Sequence, residues 1–98
     1  MKTITTVEVN QKLAAGEQLN LIDVREAAEL VEGKIPGVLH IPLGLLDFRM
    51  QELDKSMPYI IVCHSGGRSA QATDFLTYHG YDATNMNGGM MMWPGEVE

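Results

Sequence analysis

Residues 59–69, with the sequence YIIVCHSGGRS, join an apolar run to the only cysteine of the chain and to a pair of glycines. The first five of these residues show no alternation of polar and apolar side chains, which is typical of a strand buried on both faces of a parallel sheet. Gly66 and Gly67 then interrupt the run, and a helical pattern begins at about Arg68. A buried strand, a glycine loop and a helix in succession indicate an α/β fold.

Outside this stretch, short apolar runs alternate with helical patterns. Four further strands are predicted, at Thr3–Thr5, Leu19–Val24, Val38–Ile41 and Ala83–Met86. Four helices are predicted: one that ends at Gly16, then Glu26–Glu32, Leu43–Leu53 and about Arg68 to His79. This alternation favours a parallel sheet with helices on both faces. With 98 residues, the chain is expected to form a single domain, residues 1–98.

The sequence also predicts which residues form the apolar faces of two of these helices. Residues 5–8 (TTVE) fit a capping box, in which the first and fourth side chains bond to each other's backbone amides. We expect Val7, Leu13 and Ala14 to share the buried face of the helix that follows. In the third helix the apolar positions are Leu45, Leu46, Phe48, Met50 and Leu53.

The charge and composition of the chain weigh against several classes of protein. The 7 basic and 13 acidic residues give a formal charge of −6, whereas nucleic acids and anionic membrane surfaces call for a basic face. No apolar run approaches the ~18 residues of a membrane span, and the start of the chain lacks the apolar core of a signal peptide. A single cysteine excludes an internal disulfide and a cysteine-rich zinc site, and a lone thiol fits a reducing compartment. We therefore expect a cytoplasmic protein.

Cys63 is the candidate catalytic residue. Sites in parallel sheets form at the carboxyl ends of the strands, which is where the pattern places this cysteine. The amides of residues 64–69 can turn inward around an anion, while the start of the next helix and Arg68 add positive charge. All three effects favour thiolate over thiol and predict a nucleophilic sulfur at neutral pH. The alternative is a buried, unreactive cysteine, which the glycine pair and Arg68 disfavour.

Four motifs follow one another along the chain: LIDVRE (Leu21–Glu26), EGKIPGVLHIP (Glu32–Pro42), CHSGGRS (Cys63–Ser69) and NGGMMMW (Asn87–Trp93). In sequence and in order they resemble the motifs of the rhodaneses, the thiosulfate sulfurtransferases. The resemblance covers nearly the whole chain and implies a single-domain rhodanese, a three-layer α/β sandwich with a five-stranded parallel sheet. Two positions of the EGKIPGVLHIP segment depart from the family pattern: Lys34 stands where the family usually has His, and His40 where it usually has Asn.

The spacing between Cys63 and Arg68 separates two chemistries within this kind of fold. Four residues lie between them, a spacing that goes with sulfur transfer in the rhodaneses. Related phosphatases and arsenate reductases of similar fold have one residue more. The shorter loop surrounds a single sulfur atom, whereas a phosphoryl group with its equatorial oxygens needs a wider cradle. We therefore expect sulfur transfer.

The resemblance implies that a sulfane sulfur moves through a persulfide on Cys63, with no metal and no organic cofactor. The donor would be thiosulfate or another sulfane-sulfur compound, and the acceptor cyanide, a thiol or a protein. The loop expected to bind substrate or stabilise the persulfide comprises His64, Ser65, Gly66, Gly67, Arg68 and Ser69. Asp23 and Arg25 resemble a family pair that braces the loop region, and we expect them to be structural. The other hypothesis is a non-catalytic rhodanese-like domain that binds or regulates a partner.

Two features bear on the choice of substrate. Many rhodaneses carry a cation where this chain has His64, a departure that weighs against thiosulfate as the preferred donor. Met90, Met91 and Met92 precede Trp93, and such a cluster is more typical of a core or a pocket wall than of a cofactor site. If these methionines are exposed, they would form an adaptable apolar rim suited to a protein acceptor or a thiol donor.

Overall fold

A five-stranded parallel sheet forms the centre of the fold, as predicted, in the computed structural model, which describes all 98 residues. The strands are β1 (Thr3–Thr5), β2 (Leu21–Asp23), β3 (Leu39–His40), β4 (Pro58–Val62) and β5 (Asp82–Asn87). Their order across the sheet is β1-β5-β4-β2-β3, and every pairing is parallel. The apolar run that precedes Cys63 is therefore the central strand, which explains its lack of polar alternation.

Helices cover both faces of the sheet and divide the core into two clusters. They are α1 (Thr6–Ala14), α2 (Ala27–Leu30), α3 (Leu46–Arg49) and α4 (Gly67–Tyr78), with 3₁₀ turns at Leu43–Leu45, Met50–Glu52 and Met90–Met92. On one face, Leu46 of α3 and Leu76 of α4 pack in the larger cluster, which also contains Cys63. On the other face, Val9 of α1 packs with Met86 in the smaller cluster. No helix has both the length and the apolar character needed to cross a membrane.

The start of α1 forms the predicted capping box, but the buried face differs from the prediction. The Thr5 hydroxyl accepts the Glu8 amide at 3.1 Å, and the Glu8 carboxylate accepts the Thr5 amide at 3.1 Å. Val9 is fully buried, whereas Val7 is 53% exposed and Ala14 is also exposed. The helix begins directly after the edge strand, so that Thr6 and Val9, three residues apart, face the sheet and Val7 turns to solvent.

The predicted helix at residues 43–53 is instead one α-helical turn between two 3₁₀ turns. Leu46 and Leu53 are buried and Leu43 and Met50 pack beside them, whereas Phe48 is 79% exposed. The buried positions recur three and four residues apart, and this spacing leaves no place on the core side for Phe48 or for Leu45, which is 47% exposed.

The second and third strands are shorter than predicted at both ends, although backbone hydrogen bonds continue beyond them. Past Asp23, the Val24 amide still donates to Val62 at 2.9 Å, and the Leu43 amide donates to Val24 at 3.0 Å. These bonds tie the loops after β2 and β3 to the end of β4. Because Cys63 follows β4 directly, the three loops meet around one point.

Candidate functional site

Cys63 lies at the carboxyl end of β4, with only 1% of its surface exposed, and its loop leads into α4. Gly66 caps that helix with a φ of 103°, a conformation that favours glycine. A Cβ atom at Gly66 would also stand 3.2 Å from the backbone nitrogen of Gly88. The glycine is therefore required both by its backbone angle and by the close approach of the next loop.

The Cys63 sulfur sits among hydrogen-bond donors of this loop. The Gly66 amide donates to Sγ at 3.0 Å, and the Ser69 hydroxyl lies 3.3 Å from it. Burial raises the pKa of the Cys63 thiol, but hydrogen bonding by the Ser69 hydroxyl opposes that effect. The amides of Ser65, Gly66 and Ser69 lower the pKa further, so that it lies below the ordinary value of a cysteine. The groups that favour negative charge on the Cys63 sulfur are therefore neutral hydrogen-bond donors of the loop.

The turn after β5 fixes the outer side of the loop. The Met90 amide donates to the Cys63 carbonyl at 2.9 Å, and the Met91 amide donates to the His64 carbonyl at 2.9 Å. A Cβ atom at Gly89 would stand 2.6 Å from the Cys63 carbonyl oxygen and 2.5 Å from that of His64. Only glycine allows this contact, which holds both carbonyl groups in bonds to the turn while loop amides such as that of Gly66 face the sulfur.

Arg68 makes its main contact with a carboxylate. Its two terminal nitrogens donate to both oxygens of Glu29 on α2, at 2.7 and 2.8 Å. This bidentate pair holds the pKa of Glu29 at about 2, helped by the Glu26 amide. The positive charge that the sequence assigns to the loop is thus balanced by a neighbour, and Glu29 is a site residue that the sequence did not reveal. The one available signal was its place in the first turn of a helix predicted beside the site.

Asp23 and Arg25 form a buried ion pair at 2.8 Å. Both side chains are almost completely enclosed, and the Arg25 guanidinium also donates to the carbonyls of Gly33 at 2.9 Å and Glu29 at 3.4 Å. His40 contacts the Arg25 carbonyl through Nε2 at 2.7 Å. The pair therefore ties the end of β2 to α2 and to the turn that follows α2. This helix carries Glu29, the carboxylate partner of Arg68.

A cavity of about 180 Å³ adjoins the cysteine loop. It is lined by Arg25, Glu32, Gly33, His64, Met90, Met91, Trp93 and Val97. Met90 packs against the smaller core cluster, whereas Met91 and Met92 are 62% and 63% exposed. The methionine segment is therefore part pocket wall and part apolar rim. A larger cavity of about 660 Å³ lies between α1 and residues 93–96, and none of its lining residues belongs to the cysteine loop.

Of the loop residues that the sequence singles out, Cys63, Gly66 and Ser69 come together at the sulfur, and Ser65 contributes its amide. The other three lie further out: His64 and Gly67 are exposed and Arg68 reaches Glu29. Beneath the sulfur lies Asn85 of β5, a second residue that the sequence did not reveal, whose Oδ1 accepts the Ser69 hydroxyl. A strand pattern carries no signal for a buried amide of this kind.

The structure is a parallel α/β domain with a buried cysteine in the loop after its central strand. Within that class, the family of Rhodanese-like domains matches residues 5–96, and the chain belongs to this family.

Similar proteins of known sequence come from Bacillus subtilis. One, named "Putative sulfurtransferase YtwF", is 42% identical over 98 residues, which cover 100% of this chain and 95% of that protein. Another, "Putative sulfur carrier protein YrkF", is 42% identical over 89 residues, 90% of this chain but 48% of that protein. Among solved structures, a rhodanese-like domain protein from Staphylococcus aureus has a TM-score of 0.94 and 37% identity, with 100% of this chain and 97% of that chain covered. The chain is thus a rhodanese-like domain with sulfurtransferase relatives.

Proposed function

We propose that this protein is a sulfurtransferase that carries a sulfane sulfur as a persulfide on Cys63. The observation that carries the proposal is the buried sulfur with a hydrogen bond from the Gly66 amide and a hydroxyl 3.3 Å away, which together lower its pKa. Such a sulfur is ionised more readily than an ordinary thiol, and the thiolate is the nucleophilic form. A reducing cytoplasm, where a lone thiol stays free, is the compartment that suits this chemistry.

In the first step the Cys63 thiolate attacks the outer sulfur of thiosulfate or of a persulfide donor. A new S–S bond forms at Cys63 while the S–S bond of the donor breaks, and sulfite or a thiolate leaves with the electron pair of that bond. In the second step an acceptor thiolate, cyanide or a protein thiol attacks the outer sulfur of the cysteine persulfide. The sulfur leaves as a new persulfide or as thiocyanate, and the Cys63 thiolate is restored without net oxidation.

The loop residues take different parts in this scheme. The amides of Ser65 and Gly66 and the Ser69 hydroxyl stabilise negative charge on the sulfur, as donors do in an oxyanion hole. Gly67 is the first residue of α4, and Arg68 anchors the loop to α2 through its pair with Glu29. Asp23 and Arg25 support α2 and the turn after it through the bonds from Arg25 to the carbonyls of Glu29 and Gly33.

The same arrangement bears on the identity of the donor. The cations near the cavity are paired: Arg25, which lines it, bonds to Asp23, and Arg68 bonds to Glu29. A doubly charged anion such as thiosulfate is therefore held less firmly than a strongly cationic loop would hold it. We include persulfide donors as the better match to this weakly charged entrance.

A protein acceptor is supported by the apolar rim. Met91 and Met92 expose flexible side chains close to the loop, and Met90 and Met91 line the cavity beside His64. Such methionines adapt to different partner surfaces. The relative named as a sulfur carrier is about twice as long as this chain, so that its rhodanese-like half is joined to further sequence. Both observations favour delivery of sulfur to another protein.

The proposal is tested by the intact mass of the reduced protein after incubation with thiosulfate and, separately, with an organic persulfide. We expect one added sulfur atom, which a reductant removes and which Cys63→Ser never gains. A folded wild-type protein that gains no sulfur from either donor would contradict the proposal and favour the non-catalytic binding domain. Gain from the persulfide alone would retain sulfur transfer and exclude thiosulfate.

A further inference from the structure

A buried polar trio lies at the base of the site. Cys63 ends β4, Ser69 lies in the first turn of α4, and Asn85 comes from β5, with exposed fractions of 1%, 0% and 3%. The Ser69 hydroxyl stands 3.3 Å from the Cys63 sulfur and donates to Oδ1 of Asn85. Because the three side chains are almost completely buried, the Ser69 hydroxyl proton must go to one of its two polar neighbours, the Cys63 sulfur or Oδ1 of Asn85.

The orientation of the Asn85 amide follows from its other contacts. Its Nδ2 donates to the Gly66 carbonyl at 3.3 Å and to Oδ1 of Asn87 at 3.2 Å. The opposite orientation would place Oδ1 against the Gly66 carbonyl oxygen, which has no hydrogen to donate, so Oδ1 must point at Ser69. A carbonyl oxygen accepts and never donates. Ser69 therefore gives its single hydroxyl proton to Asn85.

In this arrangement Ser69 offers the sulfur an acceptor, whereas a thiolate needs a donor. With its proton directed at Asn85, the Ser69 oxygen presents a lone pair to Cys63, and a lone pair can accept the S–H of a thiol but cannot stabilise a thiolate. When the thiol loses its proton to solvent, the Ser69 O–H must rotate from Asn85 to the sulfur. The Asn85 oxygen is then buried without a donor, a state that costs free energy.

We propose that Asn85 is a positioning residue that competes with the Cys63 sulfur for the Ser69 proton and so limits ionisation of the thiol. In the resting state the bonds run from Cys63 S–H to Ser69 and from Ser69 O–H to Asn85. In the thiolate, Ser69 O–H points to the sulfur instead. The inference deepens the proposed function, because it concerns formation of the nucleophile of the first step. Removal of an ordinary supporting residue would make the thiol less acidic, whereas removal of Asn85 makes it more acidic.

The test follows the thiolate of the reduced full-length protein, by ultraviolet absorbance and by the rate of iodoacetamide alkylation as a function of pH. Asn85→Leu keeps the approximate size of the side chain and removes the competing acceptor. We expect its titration midpoint to fall by about half a unit to one unit relative to wild type. Ser69→Ala removes the donor and should raise the midpoint. In the double variant, the effect of Asn85→Leu should disappear, because no hydroxyl proton remains to be redirected.

Thr73→Val is the matched control. Thr73 is a fully buried residue one turn further along α4, and its hydroxyl donates to the Ser69 carbonyl at 2.7 Å and not to the sulfur. This variant should lose stability without moving the midpoint. If Asn85→Leu does not fold, Asn85→Val replaces it, since valine suits a strand and offers Ser69 no acceptor, so the midpoint should again fall.

A midpoint that stays at or above the wild-type value in the folded Asn85 variant would overturn the inference. So would a fall that persists when Ser69 is absent. No sulfur donor enters these measurements, so they separate the inference from the proposed function: a protein that never gains sulfur can still show the predicted shifts.

Discussion

Replacement of Glu29 by glutamine tests whether this carboxylate balances Arg68 at the mouth of the site. The substitution keeps the shape of the side chain but removes one oxygen that accepts from Arg68 and the negative charge that opposes it. Two results are expected, a loss of stability that depends on pH and a gain in the use of anionic donors.

The stability term follows from the depressed pKa of Glu29, about 2 in place of 4.5. At 1.36 kcal/mol per unit this difference would correspond to ~3 kcal/mol. The side chains of Arg68 and Glu29 are 36% and 33% exposed, however, and solvent screening reduces such a pair to about 1 kcal/mol. Because the pKa is lowered in the folded state, the contribution is present above the unfolded value of ~4.3 and is lost as the pH falls towards 2.

Urea unfolding at pH 7 and at pH 3 measures this term. Glu29→Gln should be about 1 kcal/mol less stable than wild type at pH 7, and the gap should narrow at pH 3. Glu32→Gln is the matched control, because Glu32 forms no ion pair within 4.0 Å and its replacement should change stability by less than about 0.5 kcal/mol. An equal gap at both pH values would refute the ion-pair explanation.

The expected change in kcat/KM follows from the positive charge of Arg68, which Glu29→Gln leaves unbalanced. A unit charge acting on divalent thiosulfate at ~7 Å through water contributes about 1 kcal/mol, or roughly a fivefold rise in kcat/KM. The rise should weaken with added salt and should be absent for a persulfide donor without net charge. A folded Glu29→Gln protein whose kcat/KM for thiosulfate is unchanged or lower would show that Glu29 does not mask Arg68.

Three further predictions concern the cysteine loop. Ser69→Ala should raise the pKa of the Cys63 thiol, measured by alkylation against pH, by more than Arg68→Ala does, because neutral donors and not the guanidinium surround the sulfur; the reverse order would restore Arg68 as the main stabiliser. Gly89→Ala should cost at least ~2 kcal/mol in thermal or urea unfolding, since its Cβ would stand 2.6 Å from the Cys63 carbonyl oxygen; wild-type stability would contradict the tight turn. One glycine inserted between Gly66 and Gly67 should leave a folded protein with little thiocyanate formation from cyanide, because the loop amides no longer converge on the sulfur; retained turnover would show that loop length does not select the chemistry.

The sequence predicted the features that depend on neighbouring residues. The capping box at residues 5–8, the turn at Gly66 and the buried strand before Cys63 are each formed by residues close together in the chain, and all three are present. Val7 and Phe48, which the sequence places among the apolar positions of two predicted helices, are exposed for one reason. The register of a short helix against a sheet is set by where the helix begins, and an apolar side chain can stay exposed when its neighbours already fill the core.

In the site, too, the sequence predicted residues that are close together in the chain but not contacts between distant ones. The cysteine, its glycines and its loop were predicted, whereas Glu29 lies 39 residues from Arg68 and Asn85 lies 16 residues from Ser69. Each pair joins α4 to an element from a neighbouring part of the fold, because β4, which precedes α4, lies between β5 and β2, the strand that precedes α2. A single sequence carries no signal for such contacts, since a glutamate on a helix and an asparagine in a strand have ordinary solvent-facing explanations.

These two unforeseen residues act in one direction on the proposed chemistry. Glu29 balances the cation beside the loop and so limits its attraction for anionic groups, and Asn85 draws the Ser69 proton away from the sulfur, so both restrain the stabilisation of negative charge at the site. This restraint helps an enzyme that transfers sulfur. If the site stabilised the persulfide too strongly, the barrier to passing its sulfur to the acceptor would rise. On this argument the loop is adjusted for release as well as capture, and variants at Glu29 and Asn85 should hold sulfur longer on Cys63 even where they load it faster.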